Sequence, residues 1–123
     1  MTPSFDVLVV DDEADVRASM SEVLRTSGFS VDEAEDGEVA RGLLRENCYG
    51  MVLLDIRMPR LDGVSLIESL GELPPVVVHS AFSLNAEERQ RLGMRVVMYL
   101  HKPVSPPDLL NTVRAVLGGG GGG

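Results

Sequence analysis

The chain has 123 residues, of which 44% are hydrophobic and 24% are charged, and its formal net charge is −8. This size and composition are typical of one folded domain, so we expect a single core, and disorder is excluded for most of the chain. The acidic balance argues against direct nucleic-acid binding, because phosphate backbones would be repelled. The longest apolar run, 96–100, is far shorter than the roughly 20 residues of a membrane-spanning helix, so no membrane association is expected.

The N-terminal region and the cysteine content predict a cytoplasmic location. The apolar stretch 7–10 is too short for the core of a signal peptide. The single cysteine, Cys48, cannot form an internal disulfide. The closing glycines, 118–123, cannot pack into a core, and we expect a flexible tail or linker after a domain that covers residues 1–117.

Five short apolar runs rich in valine are predicted to be strands, mostly buried on both faces of a sheet. In chain order they cover residues 7–10, 29–31, 51–54, 76–78 and 96–100. Apolar residues at helical spacing follow four of these runs. These helical patterns begin at Val16, Val39, Val64 and Leu109. The mostly polar interval 85–92 is predicted to be a helix held only weakly to the rest of the domain.

Residues that favour turns and helix ends separate these segments. They are the pairs Ser27-Gly28, Asp36-Gly37, Asp62-Gly63 and Pro106-Pro107. The result is five repeats of a strand and a helix, which right-handed crossovers arrange as a parallel sheet with helices on both faces. We therefore predict an α/β, doubly wound (βα)5 fold whose ligands bind at the carboxyl ends of the strands.

Polar residues end or follow four of the predicted strands. They are Asp11, Asp12, Asp55, Ser80 and Lys102. Because the carboxyl ends of parallel strands meet at one edge of a sheet, these side chains are expected to converge. The chain has ten arginines and only one lysine, so Lys102 is the one side chain that can supply a primary ammonium group.

Three carboxylates in one pocket require a cation. Two like charges about 4 Å apart repel by roughly 4 kcal/mol at an effective dielectric near 20. An all-oxygen site with room for water suits Mg²⁺ rather than metals that prefer thiolate or imidazole. Asp12 and Asp55 are predicted to be direct ligands, and Asp11 is predicted to act through water. The backbone carbonyl of Arg57 would complete the protein's share of ligands.

Four segments of the chain carry a resemblance to a known family. They are VLVVDDE at 7–13, LLDIRMPRLDG at 53–63, VVHSA at 77–81 and YLHKP at 99–103. An acid pair, an Asp-x-x-Met-Pro-x-x-Asp-Gly loop, a hydroxyl residue and a Lys-Pro pair follow one another on successive strands. In this combination the chain resembles the receiver domains of response regulators, including the chemotaxis receivers. The resemblance extends from residue 1 to about 117 and implies a flavodoxin-like fold.

The resemblance implies a phosphorylatable switch rather than an enzyme with its own substrate. With Mg²⁺, Asp55 would accept a phosphoryl group from a phosphohistidine on a sensor histidine kinase or a histidine phosphotransfer protein. Lys102 and Ser80 would contact the phosphoryl oxygens. Ser80 would then move, and Tyr99 would rotate inward and change the face formed by helix 4, strand 5 and helix 5. That face would control an output domain, a protein target or a phosphorylation-dependent dimer.

Two further expectations come from comparing this sequence with the family pattern. Asp55 and Ser80 are only 25 positions apart, which predicts a short third helix and loop. The resemblance also places Arg57 and Phe82 beside the path of the water that hydrolyses the acyl phosphate. Both side chains are bulky, so we expect slow dephosphorylation.

Simpler interpretations exist for single residues. The acids at 11–13 could cap the first helix and complement its dipole, and Ser80 could cap a turn. Tyr99 could pack without switching. Strand alternation predicts that His79 points away from Ser80 and His101 away from Lys102. We expect both histidines to be structural or surface residues rather than metal ligands.

Two other functions remain open from the sequence. A phosphohydrolase of the haloacid-dehalogenase type also uses a nucleophilic Asp and Mg²⁺, but it needs a second acid at the position of Arg57. A pseudo-receiver would bind partners without phosphorylation, and it would usually lack the acceptor Asp or the Lys. Here Asp55 and Lys102 are both present.

Overall fold

The computed structural model describes residues 4–58, 62–81 and 83–118, which form one parallel five-stranded sheet in the order β2-β1-β3-β4-β5. The strands are β1 (Phe5–Val10), β2 (Val31–Ala34), β3 (Tyr49–Asp55), β4 (Val76–Ser80) and β5 (Val96–His101). The helices are α1 (Ala14–Thr26), α2 (Gly37–Glu46), α3 (Gly63–Glu68), α4 (Ala86–Leu92) and α5 (Pro106–Val116), with a 3₁₀ turn at Gly93–Arg95. The predicted doubly wound α/β fold is confirmed.

Helices begin and end where the turn-forming residues predict. Asp36 and Asp62 accept hydrogen bonds from backbone N–H groups in the first turns of α2 and α3. α1 ends before Gly28, whose φ of 97° is favourable only for glycine. The capping interpretation of the acids at 11–13 is not supported at the N-cap of α1, because Glu13 occupies that position without a side-chain hydrogen bond to the helix.

Two apolar layers cover the two faces of the sheet. One layer packs the buried residues of α2, α3 and α4 against alternate residues of the central strands. The other packs α1 and α5 against the opposite face, with Leu24, Leu109 and Val113 at its centre. The central strands β1, β3 and β4 are buried almost completely, as their uninterrupted apolar runs predict.

Two predicted features of the strands are wrong in detail. The second strand is not 29–31 but begins at Val31, and Phe29 is a buried residue of the loop before it. β5 is not buried on both faces, because it lies at the edge of the sheet. Val97 is 53% exposed, and Met98 and Tyr99 are also exposed.

Some sequence predictions fall on residues outside the described ranges. Phe82 is one of them, and the glycine tail is described only at Gly118. Within the described ranges, each helix is too short or too polar to cross a membrane.

Candidate functional site

Strand register places two aspartates side by side. β1 and β3 pair up to the residues before Asp11 and Asp55, and both side chains are buried, at 0% and 4% residue exposure. The backbone N–H of Glu13 donates to Asp11 Oδ1 at 2.8 Å. The backbone N–H of Arg57 donates to Asp55 Oδ1 at 3.2 Å. The backbone after each strand therefore helps to orient the carboxylate.

The first residue of α3, Gly63, packs closely against the end of β3, where Asp55 lies. A Cβ atom at Gly63 would lie 3.0 Å from the carbonyl oxygen of Asp55 and 2.8 Å from the side chain of Ile56. The N–H of Gly63 donates to the Ile56 carbonyl at 3.1 Å. In the Asp62-Gly63 pair, Asp62 thus caps α3, and glycine is the one residue type that fits at position 63 against the end of β3.

Lys102 follows β5, and its side chain extends past the end of β4 to the aspartates. Its Nζ atom lies 2.9 Å from Asp11 Oδ2 and 3.2 Å from Asp55 Oδ2. Its backbone N–H donates to the Ser80 carbonyl at 2.8 Å, which continues the pairing of β4 and β5. The structure therefore brings together the buried aspartates and the lone lysine, as predicted from the strand ends.

Four carboxylates gather at this edge of the sheet. One oxygen from each lies within 4.8 Å of the others, and the four residues are Asp11, Asp12, Glu13 and Asp55. Asp12 and Glu13 are exposed, so solvent reaches the cluster. Four negative charges facing the single ammonium of Lys102 favour an added cation, and an all-oxygen donor set fits a hard ion such as Mg²⁺. The individual ligand roles, including that of the Arg57 carbonyl, stay predictions.

Burial and charge shift the pKa values of the groups in this pocket. Burial raises the pKa of Asp55 above its usual range, and repulsion from Asp11 adds to this against the opposing attraction of Lys102. Burial lowers the pKa of Lys102, but the facing carboxylates of Asp11 and Asp55 outweigh it, so the net shift is upward. Lys102 is therefore firmly protonated at neutral pH.

Ser80 of β4 and Tyr99 of β5 lie close together. Ser80 ends β4 and is buried, and the two residues line the same cavity of about 160 Å³. Tyr99 is exposed, and the guanidinium carbon of Arg89 lies 4.6 Å from the centroid of its ring. The cavity offers space beside Ser80, but whether Tyr99 rotates into it stays a prediction.

Two residues of the site were missed by the sequence analysis. Glu13 belongs to the carboxylate cluster, and its Oε1 lies 3.4 Å from Lys102 Nζ. His79 was expected to be a structural or surface residue that points away from Ser80. It is buried, but its contact with the pocket was missed: its Nδ1 lies 3.6 Å from Asp11 Oδ2. His79 pairs in register with Asp55, so the two share a face of the sheet. Burial lowers the pKa of His79 to about 4, so the ring is neutral beside the acids. His101 is exposed, as expected.

The loop after β3 is tied to the first turn of α4. The guanidinium of Arg57 donates to both carboxylate oxygens of Glu88, at 2.5 and 3.0 Å. Glu88 also accepts the backbone N–H of Asn85, whose side chain in turn accepts the N–H of Glu88. The polar helix predicted over 85–92 is mostly exposed, and two of its charged residues, Glu88 and Arg91, pair with neighbouring elements.

Solved structures with this fold include receiver domains from several organisms. The receiver domain protein (CheY-like) of Methanospirillum hungatei JF-1 matches with a TM-score of 0.82 and 32% identity, covering 92% of this chain and 94% of that one. A response regulator receiver protein from Pseudomonas putida matches with a TM-score of 0.81 and 30% identity, covering 94% of this chain and 99% of that one.

Curated relatives lead to the same family. Response regulator MprA of Mycobacterium sp. (strain KMS) is 38% identical over 90% of this chain and 50% of its own length. Transcriptional regulatory protein PrrA of Mycobacterium tuberculosis is 42% identical over 90% of this chain and 49% of its own. The chain therefore spans about half the length of these relatives. The family model for the response regulator receiver domain matches residues 7–114. The chain thus belongs to the receiver domains of two-component response regulators.

Proposed function

We propose that this receiver domain is a phosphorylatable switch of a two-component or phosphorelay system, with Asp55 as the phosphoryl acceptor. One observation carries the proposal: the buried Asp55 carboxylate lies 3.2 Å from the ammonium of Lys102, within a cluster of four carboxylates. A nucleophile, a fixed cation and a site for a second cation are the parts that phosphoryl transfer requires.

In the proposed reaction, a carboxylate oxygen of Asp55 attacks the phosphorus of a phosphohistidine on a sensor kinase or phosphotransfer protein. The new P–O bond forms as the P–N bond breaks, and the imidazole leaves with its electron pair and takes up a proton. The Lys102 ammonium contacts one phosphoryl oxygen, and the Ser80 hydroxyl with nearby backbone N–H groups contacts another. Bound Mg²⁺, held by Asp12, Asp55 and indirectly Asp11, would neutralise further charge.

Access to the pocket supports a protein as the phosphoryl donor. A groove of about 520 Å³ opens beside Lys102 and runs between the start of α1 and the loop before α5. Its walls include Val16, Met20 and Val104, which give an apolar border to a charged centre. A phosphohistidine on the surface of a donor protein would meet both kinds of surface.

The output that we propose is a change in the face formed by α4, β5 and α5. Ser80 connects this face to the pocket through the cavity that it shares with Tyr99. A new phosphoryl group would draw the Ser80 hydroxyl toward Asp55 and leave room for the Tyr99 ring. An output domain, a protein target or a second copy of the chain would read the change. The cytoplasmic location stays a prediction.

Intact-mass analysis after incubation with acetyl phosphate and Mg²⁺ tests the proposal. We expect one phosphoryl adduct on the native chain and none on Asp55→Asn. Asp62→Asn is the matched control, because asparagine caps a helix as well as aspartate does and Asp62 lies outside the carboxylate cluster. Loss of the adduct in both variants, or in neither, would contradict the assignment of Asp55.

The same samples distinguish the alternative functions. Sustained turnover of an aryl phosphate would indicate a phosphohydrolase, whereas a receiver is labelled once and hydrolyses its own acyl phosphate. Arg57 stands where the haloacid-dehalogenase type needs an acid, and its guanidinium is occupied by Glu88. A native chain that binds its partners but never acquires the adduct would be a pseudo-receiver.

A further inference from the structure

We propose that Arg57 is an exchangeable ligand for the phosphoryl group: it pairs with Glu88 when Asp55 is free, and it moves to the phosphoryl oxygens when Asp55 is phosphorylated. The exchange would release the first turn of α4 from the loop after β3. This inference rests on the proposed function and adds a second route from the pocket to α4, separate from Ser80 and Tyr99.

The geometry places Arg57 between the two anions. Its backbone N–H contacts Asp55 Oδ1 at 3.2 Å, so its Cα atom lies within about 5 Å of that oxygen. From there the side chain extends to Glu88, and rotation about its flexible bonds would carry the guanidinium to a group on Asp55. The Arg57 side chain is 45% exposed, so no packed core holds it in its present orientation.

The phosphoryl group is the stronger competitor for a guanidinium. It carries about −1.5 to −2 charges and three acceptor oxygens, against one charge and two oxygens on Glu88. Glu88 remains partly satisfied after the exchange, because the backbone N–H of Asn85 still donates to it at 3.1 Å. The capping box of α4 therefore survives, and what is lost is the tether between α4 and the β3 end of the sheet.

α4 is the helix that such an exchange could move. Of its seven residues only Leu92 is buried, at the far end from Glu88. Its other tertiary side-chain contacts include the stacking of Arg89 on Tyr99 and an exposed ion pair between Arg91 and Glu68. Because α4 buries so little, the Arg57–Glu88 pair is one of the few tertiary contacts of its first turn, and losing it changes a substantial share of them even though each such pair is weak.

Three single variants and the double variant Glu88→Gln/Arg57→Gln test the exchange. Glu88→Gln keeps the capping box, since glutamine also serves at that position, but it weakens the hold on Arg57. Arg57→Gln removes the guanidinium and leaves Glu88. Glu87→Gln is the matched control, because Glu87 is an exposed acid in the same turn of α4, and the described residues show it no ion pair with Arg57.

The first readout is the equilibrium affinity for beryllofluoride, a phosphoryl mimic, in the presence of Mg²⁺. We expect Glu88→Gln to bind it about two- to fivefold more tightly than the native chain and Arg57→Gln to bind it more weakly by a similar factor. The double variant should resemble Arg57→Gln, because Glu88 acts only through Arg57. Glu87→Gln should match the native chain.

The second readout is hydrogen exchange of the α4 backbone amides, and it needs no ligand in the variants. Glu88→Gln and Arg57→Gln should both lose protection in the first turn of α4, and beryllofluoride should cause the same loss in the native chain. The two variants thus change affinity in opposite directions and protection in the same direction. If the Arg57–Glu88 ion pair were only structural, both variants would still lose protection in α4. Their affinities for beryllofluoride would then equal that of the native chain.

The outcomes separate this inference from the proposed function. If Asp55 acquires a phosphoryl group but Glu88→Gln and Arg57→Gln change the affinity in the same direction or not at all, the exchange is wrong and the acceptor assignment stands. If the native chain binds no beryllofluoride and acquires no phosphoryl group, both are overturned.

Discussion

The carboxylate pocket and the surface of α4 both consist of paired charges, but the surroundings of these charges differ. In the pocket, the side chains of Asp11 and Asp55 are nearly inaccessible, and that of Lys102 is 12% exposed. On α4, the side chains of Arg91 and its partner Glu68 are both more than 40% exposed. Because water and salt screen exposed charges, whereas a buried charge left without its partner is not rescued by solvent, breaking an ion pair costs far more in the first region than in the second.

The backbone beneath each region increases the contrast. Strand ends that belong to the centre of the sheet position the pocket aspartates, whereas α4 buries only Leu92 of its seven residues. A rigid pocket suits a group that must hold a transition state, and a loosely held helix suits an element that moves. We therefore expect substitutions in the pocket to have large effects on stability and labelling, and substitutions on the surface of α4 to have small effects on stability.

The largest effect is expected for Lys102→Met, which removes the lysine ammonium that faces the carboxylates. Breaking a buried ion pair costs about 3 kcal/mol, because the remaining charges lose their partner. Loss of one fixed charge from a phosphoryl-transfer site lowers the rate by roughly 100-fold. We expect urea unfolding at pH 7 to show the lower stability and acetyl phosphate labelling to show the lower rate.

Lys102→Arg is the control for Lys102→Met. It keeps a positive charge but not the compact ammonium, so it should retain most of the stability and lose most of the labelling. Mg²⁺ should raise the unfolding temperature of Lys102→Met more than that of the native chain, since it would replace the missing cation. Equal stability of Lys102→Met and the native chain without Mg²⁺ would contradict a charged pocket.

An intermediate effect is expected from packing at the end of β3. Gly63→Ala places a Cβ atom 3.0 Å from the Asp55 carbonyl oxygen, and overpacking of this kind costs about 1–3 kcal/mol. Gly42→Ala is the matched substitution, because Gly42 lies inside α2 with open space around its Cβ position. It should stabilise the domain by about 0.5–1 kcal/mol. Equal urea midpoints for the two variants would contradict this prediction, because they would show that the backbone at Asp55 shifts to accommodate the added Cβ atom at little cost.

Sequence patterns were sufficient to predict the fold and most of the residues of the pocket, and the reason is physical. Uninterrupted valine-rich runs identify buried parallel strands, and parallel strands bring their carboxyl ends to one edge. Asp11, Asp55 and Lys102 could therefore be placed together without coordinates. β5 shows the limit of this signal, because an apolar run does not reveal which strand lies at the edge of the sheet.

Contacts across the fold were beyond the sequence analysis. His79 was judged by alternation along its own strand, whereas its neighbour Asp11 follows β1, and strand order and register decide that the two meet. Likewise, no periodicity links Arg57 to Glu88, which are 31 positions apart. Such a pair forms only where the folded chain brings Arg57 close to the start of α4. It also requires that both side chains adopt conformations that point toward each other.

The smallest effect is expected for the ion pair between Glu68 and Arg91, and it gives the most direct comparison with the pocket. Both side chains face solvent, so the attraction is screened and is offset by the entropy lost in holding two long side chains. A double-mutant cycle with Glu68→Gln and Arg91→Gln should give a coupling energy indistinguishable from zero at physiological salt. At low salt a small favourable coupling should appear, because screening weakens. A coupling as large as that of Lys102 with Asp55 would mean that α4 is held as firmly as the pocket, and α4 could then not respond to the loss of a single tether at Arg57.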